Sequence, residues 1–188
     1  MTLEILIPTL PERKEFLNGL VSTIFSQSNH GCFNSDIIIS IDDRGEEIST
    51  GTKRNDLLSK ATGDYVWFVD DDDIIMFRGL DTVYEACQTN ADVIGINGIM
   101  TTNGMNEVFW EIRLGHPYCA TIRDGKEIYL RHPNHITPMK REHAQKIKFP
   151  EITLGEDYAW ACALKDSGLL KTQTVVDQLV YHYDFRTK

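Results

Sequence analysis

The sequence predicts an α/β fold: a mainly parallel central sheet flanked by helices. Short β-branched apolar runs alternate with segments whose apolar residues recur at helical spacing. The runs are apolar at consecutive positions, as in strands buried on both faces. Carboxylates also gather where the runs end, which in open α/β sheets is the edge where ligands bind.

Leu3 to Pro8 is the first such run, and proline stops it. Thr9 to Arg13 then leads into Phe16, Leu17, Leu20, Val21, Ile24 and Phe25, whose spacings of three and four place them on one helical face. That helix is expected to end near Asn29-His30-Gly31. Asp36 to Ile41 reads as a second strand running into Asp42-Asp43-Arg44-Gly45. Strand, helix, strand implies a right-handed crossover. The pattern repeats with a helix over 53–60, a turn at 61–64, and the strand Tyr65-Val-Trp-Phe-Val69, which runs straight into Asp70 to Asp73. A helix over 80–89 and a strand over 92–96 follow, then a turn-rich break at 101–106. Residues 107–140 suggest only short strands, 156–167 a helix and 174–183 a final strand.

The 188 residues are 41% hydrophobic and 25% charged, the profile of a soluble globular chain. A domain of this size buries roughly 70% of its unfolded surface, so neither disulfide nor structural metal is needed for folding. One domain over 1–188 is expected, with a nucleotide-binding half to about residue 100 and an acceptor-binding, catalytic half beyond it. The net charge of −9 argues against bulk attraction to nucleic acid or anionic membrane. Cys32, Cys87, Cys119 and Cys162 form no CxxC pair and read as free, buried thiols. No charged n-region precedes an apolar h-region, and no apolar run is long enough to span a bilayer, so a cytoplasmic protein without stable membrane insertion is expected.

Four consecutive aspartates repel one another in a partly desolvated site unless a cation or hydrogen bonds intervene. A divalent ion with oxygen ligands, Mg2+ or Mn2+, would resolve this and share its coordination with substrate phosphates. The alternative is a solvated acidic turn or a helix amino terminus.

With Ile7-Pro8-Thr9 at the first strand end, Asp42 at the second, and Ala61-Thr-Gly-Asp-Tyr-Val-Trp-Phe-Val-Asp-Asp-Asp-Asp73 at the third, the chain resembles the family 2 type of GT-A fold glycosyltransferases. A later Gly155-Glu156-Asp157-Tyr158 resembles that family's Glu-Asp pair. The resemblance spans most of the chain. It implies a metal-dependent transfer of one sugar from a nucleotide-sugar to an acceptor hydroxyl. Pro8, Thr9 and Leu10 would line the nucleoside pocket with Arg13 nearby, and Asp42 would accept the imide N–H of uracil, which favours UDP over cytosine nucleotides. Asp42 as a turn cap before Gly45 is the alternative. Lys53 or Arg54 would neutralise the diphosphate, unless they only face solvent at a helix start. In the Asp-x-Asp-Asp register Asp70 faces the ribose, Asp71 assists through backbone or water, Asp72 binds the metal and Asp73 supports or caps.

The same resemblance makes Asp157 the general base of an inverting displacement and Glu156 an acceptor-orienting residue, against both serving as helix-capping charges. His182, in Val180-Tyr-His-Tyr183, would complete the metal site unless it is only a packed strand residue; His132 and His135 compete for that role. The segment 131–138 is expected to act as a lid or acceptor loop, with His135 and Trp110 touching the acceptor. Aromatic residues in 107–149 suit sugar stacking. Basic residues outnumber acids over 126–148, so a phosphate-bearing acceptor is open. A saccharide or lipid-linked saccharide acceptor is expected, with a hydroxylated nucleic-acid base as the alternative. The arginine and tryptophan signature of processive members is absent from the sequence, which suggests single addition. Two other readings stand beside transfer: a nucleotidyltransferase on a related α/β scaffold, and a catalytically silent module that binds nucleotide-sugar or divalent cation.

Overall fold

The computed structural model describes residues 1–30 and 36–185. Strands β1 (Leu3–Pro8), β2 (Ile37–Asp42) and β3 (Tyr65–Phe68) form a parallel trio with β1 in the middle. After a 3-10 turn at Pro11–Arg13, α1 (Lys14–His30) precedes β2, and α2 (Thr50–Lys60) joins β2 to β3. Gly31 and Cys32 lie outside the described residues. The two-residue strand β4 (Ile74–Ile75) and α3 (Gly79–Cys87) lead to β5 (Val93–Thr102).

The second half is where antiparallel pairing enters. The turn-rich break proves to be a tight reversal from β5 into the antiparallel β6 (Met105–Ile112). A further hairpin, β7 (Cys119–Arg123) and β8 (Lys126–Arg131), lays β8 parallel to β6. Strand β9 (Met139–Lys140) bridges β3 and β5, followed by the short α4 (Arg141–Ala144) and α5 (Glu156–Ser167). Strand β10 (Gln173–Phe185) closes the sheet, parallel to β5 and antiparallel to β4. β5 extends well past the expected residue 96 because β10 pairs with it as far as Phe185↔Thr102.

The strands separate two cores by alternation along each pleat. Leu3, Ile5 and Ile7 of β1 pack with Leu20 and Ile24 of α1 and Leu80 and Val83 of α3. Leu6, on the opposite face, packs with Leu57 and Leu58 of α2 and Trp160 and Leu164 of α5. Helices thus cover both faces, leaving the carboxyl ends of β1, β2 and β3 open for a site. Cys87 is a buried free thiol as expected, but Cys119 is exposed and Cys162 half-buried. Cys119 lies on β7, whose residues are largely exposed, so its surroundings do not enclose it. No helix among the described residues is long and apolar enough to cross a membrane.

Candidate active site

The site starts where β1 and β2 stop. Their register sets Pro8 opposite Asp42, and the Thr9 amide donates to the Asp42 carbonyl at 2.9 Å. Leu10 then opens the 3-10 turn that carries Arg13 back over the acidic run. Arg13 Nε donates to Asp71 at 2.9 Å, and its Nη2 lies 2.7 Å from Asp72. The Thr9 hydroxyl also donates to Asp71. Burial pushes the Asp71 carboxyl up, and the bonds from Thr9 and Arg13 reverse this only in part. Asp42 is buried too, but a fork of donors from Arg44, with Nε at 2.9 Å, outweighs that burial and holds its carboxyl below the usual range.

Lys53 is expected at the diphosphate, yet the structure uses it as a staple. The side chain is buried, and Nζ donates to the Thr9 carbonyl at 2.7 Å and to the Arg44 carbonyl. It ties the loop after β1 to the loop after β2. Its helix starts at Ser49, whose hydroxyl accepts the Thr52 amide at 3.2 Å.

Arg54, one residue on, organises the second cluster. Its guanidinium is buried against the rings of Phe68 and Phe149, 5.2 and 5.8 Å from their centroids. Nη2 donates to Asp70 at 2.9 Å, and Nε lies 3.4 Å from Glu156. His135 stands between two carboxylates, with Nε2 3.7 Å from Asp70 and Nδ1 3.8 Å from Asp157. Burial opposes ionisation of Asp70, but Arg54 and His135 outweigh it and hold the carboxyl well below its ordinary value. Glu156 moves the other way: burial raises it, and Arg54 offsets only part. Gly155, at φ 82°, makes the left-handed turn that starts α5 and sets Glu156 inward while Asp157 stays open to solvent. Asp70, His135, Glu156 and Asp157 line one cavity of about 370 Å³ with Trp110 on its wall.

The model of the family described as glycosyl transferase family 2 matches residues 44–148, more than half of the chain and the stretch from Arg44 through the aspartates and past His135. The chain belongs to glycosyl transferase family 2. No curated protein sequence matches it. Among solved structures, S. aureus TarS 1-349 superposes with a TM-score of 0.62 at 15% identity, covering 98% of this chain and 60% of that one. The complex of S. aureus TarS 1-349 with UDP-GlcNAc gives 0.62 at 14% identity over 100% of this chain. The complex with UDP gives 0.60 over 98%. This family 2 chain therefore shares the GT-A fold of those structures while spanning 60% of their length.

Not every expected residue of the family 2 site converges. His182 pairs across the sheet with Ile74, and its Nε2 lies 2.8 Å from the Thr101 hydroxyl. That hydroxyl donates to Asp184 at 2.7 Å, so it accepts from His182 Nε2–H. Tyr183 lines the cavity; its neighbour His182, pointing to the other face of the pleat, does not. Among the described residues no three His, Cys, Asp or Glu side chains are grouped to hold a metal. Asp73 is buried and accepts the Tyr181 hydroxyl at 2.6 Å; burial and the Asp70 charge push its carboxyl well up. His132 lines a separate cavity behind the loop. Tyr183 and Met100 join the cavity although the sequence reading does not single them out, and Asn134 enters it with the 131–138 segment. The alternation in Val180-Tyr-His-Tyr183 put Tyr183 and His182 on opposite faces, but choosing the face requires the irregular β10 register.

Proposed function

We propose that this family 2 domain moves one sugar from a UDP-sugar to an acceptor hydroxyl by a single inverting displacement, with Asp157 as general base. The observation that supports it is the meeting of Asp157 and Asp70 in one cavity, bridged by His135 at 3.8 and 3.7 Å. In the family's DxD arrangement Asp70 serves the donor ribose, so the cavity is the place where donor sugar and acceptor meet. The acceptor oxygen attacks the anomeric carbon, the bond from that carbon to the diphosphate oxygen breaks, and UDP departs with the electron pair. The acceptor's proton goes to Asp157, which stands in the first turn of α5 at the edge of the cavity. Asp70 stays ionised through Arg54, and Glu156 keeps Arg54 in place.

Pro8, Thr9, Leu10 and Arg13 would hold the nucleoside, with Asp42 facing uracil; the UDP and UDP-GlcNAc complexes of S. aureus TarS support that donor class. Uracil would have to share or displace the Arg44 fork on Asp42. For a divalent ion the donor set fits one arrangement. Asp70, Asp71 and Asp73 are engaged by Arg54, by Thr9 and Arg13, and by Tyr181, whereas Asp72 is partly exposed and has Arg13 as its ion-pair partner. Magnesium and manganese accept one or two carboxylates and fill the rest with water and phosphate, so Asp72 would hold the ion. Bound there, it supplies charge neutralisation to the departing diphosphate. The acceptor is a saccharide or lipid-linked saccharide, whose ring suits the aromatic wall of Trp110, Tyr118 and Tyr129.

Asp157→Asn tests the proposal. Transfer, or donor hydrolysis where acceptor is omitted, should fall about a hundredfold to ten-thousandfold while UDP affinity holds. Near-normal turnover, or product retaining the donor's anomeric configuration by NMR, would overturn the mechanism.

A further inference from the structure

Within the same cavity, Arg131 has no ion-pair partner among the described residues. Arg131, at the end of β8, lines the wall facing α5, and its guanidinium carbon sits 3.9 Å from the Tyr118 ring centroid and 4.9 Å from that of Tyr129. Its Nη1 donates to the carbonyls of Cys119 at 3.2 Å and Leu130 at 2.9 Å. These bonds fix the group in position but leave Nε and Nη2 without an acceptor among the described residues. Among the described residues, no Asp or Glu lies within ion-pair distance of it, whereas Arg13, Arg54 and Arg123 each have such a partner. The contrast with Arg54, in the same cavity, is sharp: Arg54 serves Asp70 and Glu156.

A guanidinium packed against two rings loses part of its hydration, and its remaining donors form a planar fork matched to carboxylate and phosphate oxygens. We infer that Arg131 recognises a negative charge on the acceptor, so that the acceptor is a hydroxylated, ring-bearing molecule with a phosphate or carboxylate group. This rests on the reading of the cavity as the meeting place of donor and acceptor and narrows its substrate class. Tyr118, half exposed and edge-on to Tyr158 at 5.5 Å, gives the ring of such a molecule a face to stack on. A charge at Arg131 and a hydroxyl at Asp157 then fix the acceptor at two points across the cavity.

The experiment compares glucose, glucuronate and glucose 6-phosphate binding by calorimetry, with and without saturating UDP, to the wild-type protein and to Arg131→Gln and Arg131→Lys. At least one of the two anions should bind about tenfold or more tightly than glucose; which one does so separates carboxylate from phosphate recognition. Raising the salt concentration should shrink that preference. Arg131→Gln should abolish it and Arg131→Lys keep part of it, with UDP affinity unchanged in both, which also shows that the variants are folded. Equal binding of glucose and both anions, no binding of any of them, or a preference that survives Arg131→Gln overturns the inference. Failure of UDP to bind the wild-type protein alongside an intact anion preference would instead count against the proposed donor chemistry.

Discussion

Arg54 shows how much one side chain can determine. It is buried, stacked near two rings, bonded to Asp70 and close to Glu156, while its Nε and Nη1 have no hydrogen-bond partner among the described residues. Removing one member of a buried charge pair strands the other, so Arg54→Met should destabilise the fold by about 3 kcal/mol in urea unfolding. Arg54→Lys should recover little, because an ammonium neither stacks as a plane nor reaches two carboxylates as a fork. Full recovery by lysine would mean that charge alone matters there. The resemblance of Gly51-Thr-Lys-Arg-Asn55 to the family's nucleotide-binding segment makes Arg54, with Lys53, a candidate for the diphosphate. Its burial was not legible, since Phe149 lies far along the chain and only folding brings that ring over the guanidinium.

At the scale of elements, α2 positions both clusters, and its first turn touches the loop that leads to Gly155. The Gly51 amide donates to the Ile152 carbonyl at 3.0 Å, and a Cβ on Gly51 would lie 1.8 Å from the Pro150 carbonyl oxygen. Gly51→Ala must therefore push helix and loop apart. The expected result is a loss of about 1–3 kcal/mol, the usual cost of overpacking, together with reduced turnover because Glu156 and Asp157 follow that loop. Unchanged melting and turnover would show that the loop moves freely. Strands β1 to β3 are legible as short continuous apolar runs closed by turn residues, α1 by its three-and-four apolar spacing, and α2 and α5 as helix-compatible segments between them. Strands β4 and β9 were not, since two residues carry no period and exist only through their partners on β10, β3 and β5.

Across the whole molecule, Asp92 joins distant segments. Its carboxylate accepts the amides of Lys171 at 2.8 Å and Thr172 at 2.9 Å and contacts His143 at 3.1 Å, tying the starts of β5 and β10 to α4. Burial opposes its ionisation, but those donors outweigh it and hold the carboxyl well below 3.8. A depressed folded value means stability that is present above 3.8 and lost as pH falls below it. Asp70 acts with the same sign. Asp71, Asp73 and Glu156, all raised, act oppositely: their cost to the folded state grows as pH rises through their folded values. The wild-type profile is thus a partial cancellation, and a difference measurement isolates Asp92. Asp92→Asn should be less stable than wild type at pH 7, with the gap closing as pH is lowered below about 4 in urea titrations. A gap independent of pH would show that the Asp92 bonds owe nothing to its charge.

By itself the sequence determined the α/β fold class, the parallel strand ends where carboxylates collect, and the Gly155-Glu156-Asp157 step at a helix start. These depend on neighbours within a few residues, where periodicity and turn chemistry operate. Tertiary structure decided which charges are free. It spent Lys53 on two carbonyls, turned His182 toward Thr101, enclosed Asp73 with Tyr181, and left Arg131 over two tyrosine rings with no carboxylate partner among the described residues. A side chain's partner is set by strand register and by contacts between residues far apart in the chain, and local pattern contains neither.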